Sequence, residues 1–77
     1  MAGREGLSRR ADPYRELQVD PAACPQVVDA AFAVLREMTL RSDDDDAPRR
    51  LARLMAAHRI LSDPARRAAW DAGAQEA

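Results

Sequence analysis

Apolar residues recur along this chain at helical spacing, never in strand-like alternation. Val28, Ala31, Phe32, Leu35 and Met38 fall on one face of a helix that opens at Cys24-Pro25, with Cys24 at the cap position, and ends near Arg41. Leu51, Leu54, Met55, His58 and Leu61 form a second stripe, on a helix begun by Asp46 and Pro48 and stopped by Ser62-Asp63-Pro64. A shorter helix of about two turns precedes them: Asp12 caps, Pro13 takes the first position, and Tyr14 and Leu17 share a face. Pro21 and Pro25 flank the turn that follows. Asp63 and Pro64 start a short last helix that turns Trp70 inward. The long helices are joined by a loop of about seven residues, which favours an antiparallel pair. The pattern predicts an all-α domain of four helices over residues 12–71, built on a central antiparallel helical hairpin with short first and last helices. Residues 1–11, rich in Gly and Arg, read as a flexible tail, and residues 72–77 as a frayed end.

Composition narrows the chemistry. The chain has 77 residues, one cysteine and one histidine. Cys24 alone forms no disulfide within the chain and no zinc-finger spacing. His58 alone leaves a histidine metal site or a Ser/His/Asp triad short of residues. The reading is therefore non-enzymatic, without cofactor or metal. All twelve basic residues are Arg, and the formal charge is -1, so the molecule as a whole has no excess to attract nucleic acid. Charge is unevenly spread: residues 12–46 carry nine acids against three Arg, residues 47–77 six Arg against three acids. Ordinary solvated surface explains this; a molecule with one acidic and one basic face is the alternative. No apolar run approaches the roughly 20 residues that span a bilayer, and the charged start has no apolar core of a secretory signal. The expectation is a soluble, cytoplasmic protein.

At this point the residues match a known pattern. Asp12-Pro13-Tyr14 with Leu17 and Val19 looks like the "DPYxxLxV" opening of a J-domain, the DnaJ-like module that activates DnaK-type chaperone ATPases. Val28, Ala31, Phe32 and Leu35 resemble its second helix. Ala57 to Pro64, then Arg67, Trp70 and Asp71, resemble "AYxxLSDPxxRxxYD". The resemblance covers residues 12–71 and implies the four-helix J fold. It also implies a His-Pro-Asp tripeptide at the end of the second helix, which the family needs to stimulate ATP hydrolysis. Here those positions fall on Leu40, Arg41 and Ser42, followed by Asp43. Asp43 imitates the terminal carboxylate; nothing imitates the imidazole or the proline. The family's basic outer face on this helix is depleted as well, at Asp29, Ala30, Ala33 and Val34, with Arg36 and Arg41 offset by Asp29 and Glu37. The resemblance thus implies a degenerate member: a protein–protein interaction module or adaptor unable to stimulate a DnaK-type ATPase. A divergent working co-chaperone, with Arg41, Ser42 and Asp43 replacing the tripeptide, is the rival.

Other residues carry weaker signals. Val27, Ala30 and Val34 lie beside the core stripe and, with Met38, widen the apolar arc to about half the circumference, beyond the roughly 100° a core-facing helix needs. Alanine-rich surface accounts for this; a docking face for another helix, from a partner or a second copy, is the functional reading. The partner would be another J-protein, a DnaK-type chaperone or a client. Arg49, Arg50 and Arg53 share one side of the third helix's start. They suit pairing with the chain's own aspartates or an acidic partner better than nucleic acid, for which no helix-turn-helix or stacking platform is present. Asp43 to Asp46 lack the alternating ligands and glycine of a calcium loop and read as helix-start acids that complement the macrodipole. Cys24 reads as a cap replacement and His58 as a histidine packed at the core's edge.

Overall fold

The computed structural model describes residues 12–76, with side chains described through Gly73; the predicted N-terminal tail lies outside the described residues. The chain is all-α: α1 (Pro13–Glu16), α2 (Pro25–Leu40), α3 (Ala47–Leu61) and α4 (Pro64–Glu76), with no strand among the described residues. The central pairing is antiparallel. His58, near the end of α3, meets Asp29 and Phe32, near the start of α2. Arg50, at the start of α3, meets Ser42, just past the end of α2.

Local chemistry explains most boundaries. Asp12 caps α1, its Oδ1 accepting from the Tyr14 amide at 3.0 Å, with Pro13 at the first position. α1 is four residues long, shorter than its pattern suggests. What stops it is a Schellman ending: the Val19 amide donates to Tyr14 O (2.9 Å) and the Gln18 amide to Arg15 O (3.0 Å). Gln18 adopts φ 56° to make this turn, at a cost of about 1–2 kcal/mol for a residue with a Cβ. The buried Leu17 and the half-buried Val19 on either side repay that strain, since the turn delivers both to the core. No glycine marks this stop. α4 is also longer than expected: 13 residues reaching Glu76, so the last helix is not short.

The core gathers Tyr14, Leu17, Val28, Leu54, Ala57 and Leu61, with Ala31, Phe32, Leu35, Ile60 and Trp70 packed against it. Three expected core residues are outside it, the half-buried Leu51 among them. Met38 is 61 % exposed and Met55 48 %. The inward direction of α2 is set by the fully buried Val28 and by Leu35; Thr39, four residues past Leu35, continues that line, whereas Met38 sits 100° off it. Thr39 is buried because its hydroxyl donates to Leu35 O at 2.8 Å, which satisfies the polar group. On α3, Ala57 takes the inward place between Leu54 and Leu61, and its small side chain lets the facing helices approach.

α4 is tied back by one polar cluster. Tyr14 Oη donates to Asp71 Oδ1 (2.7 Å) and accepts from Arg67 Nε (3.1 Å). Arg67 Nη2 donates to the carbonyls of Pro21 (3.0 Å) and Ala23 (2.7 Å), and Trp70 meets the Tyr14 ring edge-on at 5.9 Å. Burial, and then the bond to Asp71, push the Tyr14 hydroxyl above its ordinary pKa, which keeps it protonated as a donor. Tyr14→Phe removes one donor and one acceptor while keeping the ring. It should cost about 1–2 kcal/mol, a fall in Tm of roughly 5–15 °C for a domain of this size, read by circular dichroism; an unchanged Tm would show that the cluster does not hold α4.

Candidate functional site

The hairpin tip is where the resemblance places its tripeptide. α2 ends at Leu40, and Arg41 is its C-cap. Leu40 is 55 % exposed. Arg41 pairs back to Glu37 at 3.3 Å on the same helix. Ser42 Oγ accepts from the Asp44 amide (3.1 Å) and from Arg50 Nη2 (3.4 Å). Asp44 organises the turn: its Oδ1 accepts from the Asp46 amide (3.0 Å) and its Oδ2 from Arg50 Nη1 (2.9 Å). The Asp46 amide and then Arg50 hold the Asp44 carboxyl below the usual carboxylate range. Asp46 occupies the N-cap position of α3 but makes no side-chain cap bond; its Oδ1 reaches Arg49 at 3.7 Å instead. The expected cap is thus displaced by two residues, because an Asx-type turn at Asp44 starts the helix before Asp46 is in a capping geometry. Asp43 is exposed and makes no hydrogen bond or ion pair among the described residues.

The chain's one imidazole is elsewhere. His58 stacks on Phe32, with ring centroids 4.1 Å apart and planes 9° from parallel, and its Nε2 lies 2.9 Å from Asp29 Oδ1. Asp29 is eleven residues before Leu40 on α2, roughly 16 Å along the helix axis. The histidine therefore joins the two long helices at the end away from the tip.

The outer face of α2 is apolar and open. Val27 is 48 % exposed and Val34 59 %, and Ala30 lies between them on the same side. A shallow groove of about 390 Å³ lies along Ala33, Val34 and Met38, closed at one side by Glu37 and Arg41. Met38, which the sequence places between the core stripe and this one, belongs to this face rather than to the core. The three arginines singled out on α3 are each paired within the chain: Arg49 with Asp46, Arg50 with Asp44, and Arg53 with Glu16 at 3.5 Å. Much of the acidic and basic asymmetry is thereby settled internally.

Cys24 is exposed at the N-cap of α2 and makes no side-chain cap bond, so Pro25 at the first position carries that start alone. Among the described residues no three His, Cys, Asp or Glu side chains gather as a metal site, and no helix is long and apolar enough to cross a membrane. Periodicity found the α2 face, but nothing local marked Asp44 among four identical neighbours; its role depends on Arg50, six residues on.

A depressed folded-state pKa means that the charged Asp44 stabilises the fold above the ordinary aspartate range and that this contribution is lost as pH falls through the lowered value. Asp44→Asn keeps an acceptor for the Asp46 amide but removes the charge. Its Tm should lie below that of the parent at pH 7, and the gap should close as pH falls below the ordinary aspartate range and through the lowered value; a gap independent of pH would show that the carboxylate charge does not matter. Comparison with protein-family models, with curated proteins and with solved structures finds no match for this chain.

Proposed function

We propose that this chain is a non-catalytic, J-like interaction module, an adaptor that holds another protein and does not stimulate a DnaK-type ATPase. The observation that carries the reading is the hairpin tip. Where the resemblance calls for His-Pro-Asp, the chain presents an exposed Leu40, an Arg41 engaged by Glu37, and a Ser42 whose hydroxyl serves Asp44 and Arg50. The imidazole stands at the far end of the hairpin, locked between Phe32 and Asp29. Two features support the J-like half of the reading. Tyr14 of the opening motif bonds Arg67 and Asp71 of the closing motif, 53 and 57 residues away. The two long helices also run antiparallel between them.

The docking half rests on the outer face of α2. Val27, Val34 and Met38 expose a continuous apolar strip that no element of this chain covers among the described residues. An amphipathic helix of another protein, a J-protein, chaperone or client, is the kind of partner such a strip accepts. A divergent working co-chaperone remains the second reading, favoured by one observation: Asp43 is exposed and unpaired among the described residues, as a carboxylate offered to a partner would be.

Single-turnover ATP hydrolysis by the cognate DnaK-type protein separates the two. No acceleration is expected on adding this chain; stimulation that disappears in Asp43→Ala would establish the second reading. Val34→Glu is expected to weaken partner or self-association by more than tenfold in sedimentation or calorimetry, since burying an unpaired charge in an apolar interface costs several kcal/mol, while helical content stays intact. Association that survives this change would make the strip ordinary surface.

A further inference from the structure

A second open groove, of about 650 Å³, lies where the end of α1 meets the last turns of α2 and the first turns of α3. That volume falls within the roughly 300–1,000 Å³ of ligand pockets. It shares only Met38 with the groove on the outer face of α2, so it is a separate surface. Its floor is apolar, made by Leu35 and Leu54. Its rim carries three guanidiniums, from Arg15, Arg50 and Arg53, against the single carboxylate of Glu16. With Asp44 on Arg50 and Glu16 beside Arg53, the groove keeps the positive charge of Arg15 in a chain whose formal charge is -1.

The three arginines differ in how much they have left to give. Arg50 is occupied, with Nη1 on Asp44 and Nη2 on Ser42. Arg53 offers Glu16 its Nε at 3.5 Å, and its two terminal amino groups form no hydrogen bond among the described residues. Arg15 is exposed, and its guanidinium has no hydrogen bond or ion pair among the described residues. A guanidinium presents a planar fork of donors that matches a carboxylate. Two such forks beside an aliphatic floor recognise carboxylates carried next to an apolar side chain. Met38 forms an adaptable wall, because an unbranched thioether side chain follows the shape of its neighbour.

We propose that this groove binds a short acidic peptide segment, with carboxylates at Arg15 and Arg53 and one aliphatic side chain laid on Leu35 and Leu54. Charge complementarity selects that occupant: a basic segment is repelled by the rim, and a purely apolar one leaves the arginines unused. The inference stands apart from the J-like reading, because its two charged contacts, Arg15 and Arg53, belong to neither the tip nor the outer face of α2.

The test is fluorescence anisotropy at low salt with a labelled, end-blocked Asp-Leu-Glu-Asp peptide, beside Asn-Leu-Gln-Asn and Asp-Ser-Glu-Asp controls. The parent peptide should bind, more than tenfold tighter than the amide control and measurably tighter than the serine control. Arg15→Gln and Arg53→Gln should each weaken binding roughly threefold to fivefold, the scale of an exposed charge pair. Arg15 supports nothing inside the fold, so its variant reads binding alone. Amide shifts on peptide addition should centre on Thr39 and Leu54. The proposal is overturned by the absence of binding at millimolar peptide or by equal affinity for the amide control. Indifference to both arginine substitutions, displacement by equimolar acetate, or shifts centred on Val27 and Val34 would overturn it as well.

Discussion

The phenolic hydroxyl of Tyr14 is the point on which the tertiary arrangement hangs. It joins the start of the described chain to its last helix, donating to Asp71 and accepting from Arg67. Arg67 then carries the tie to the connection between α1 and α2 through the carbonyls of Pro21 and Ala23. α1 is a single turn and too short to be stable alone. α4 follows α3 directly, packs Trp70 on the core and reaches α1 through long side chains. Without the hydroxyl these elements would rest on the edge of Trp70 and on a small core. A domain of this length buries little apolar surface, so a satisfied polar cluster at the junction decides whether the short elements stay docked.

The same economy explains the hairpin tip. Four successive aspartates would repel one another and leave the start of α3 undefined. The chain resolves this by assigning one carboxylate two jobs. Asp44 turns the backbone at Asp46 and anchors Arg50, which holds Ser42 at the end of α2. The loop is therefore stitched from both sides, through Ser42, Asp44 and Arg50, while Leu40, Arg41 and Asp43 stay exposed. That internal brace is what the proposed adaptor reading rests on. The exposed strip on α2 and the arginine-rimmed groove beside it are two surfaces with different chemistry.

Much of this could be read before any coordinates. The helix starts at Asp12-Pro13, Cys24-Pro25 and Asp63-Pro64, the stripes that pair α2 with α3, and the exposed line of Val27, Ala30 and Val34 are all local patterns. The Schellman ending of α1 was not legible, because its left-handed residue is Gln18 where a glycine would have announced it. Hydrophobicity places Met38 and Met55 inside, yet Thr39 is buried next to Met38, and Ala57, next to His58, takes the inward place on α3. Each stripe was wide enough to be rotated by one residue, and only the neighbouring helix fixes the rotation. A hydroxyl that bonds its own helix and a small methyl packed at a crossing fit inward better than a long thioether.

What the order of residues determined alone is the number of helices, their starts and the apolar faces, because capping and periodicity are properties of a few adjacent positions. What only the tertiary structure decided is which flank of each face turns inward, which aspartate governs the tip, and that Tyr14 and Asp71 meet. Those outcomes depend on groups brought together from distant parts of the chain, and no local pattern records the energy of that meeting.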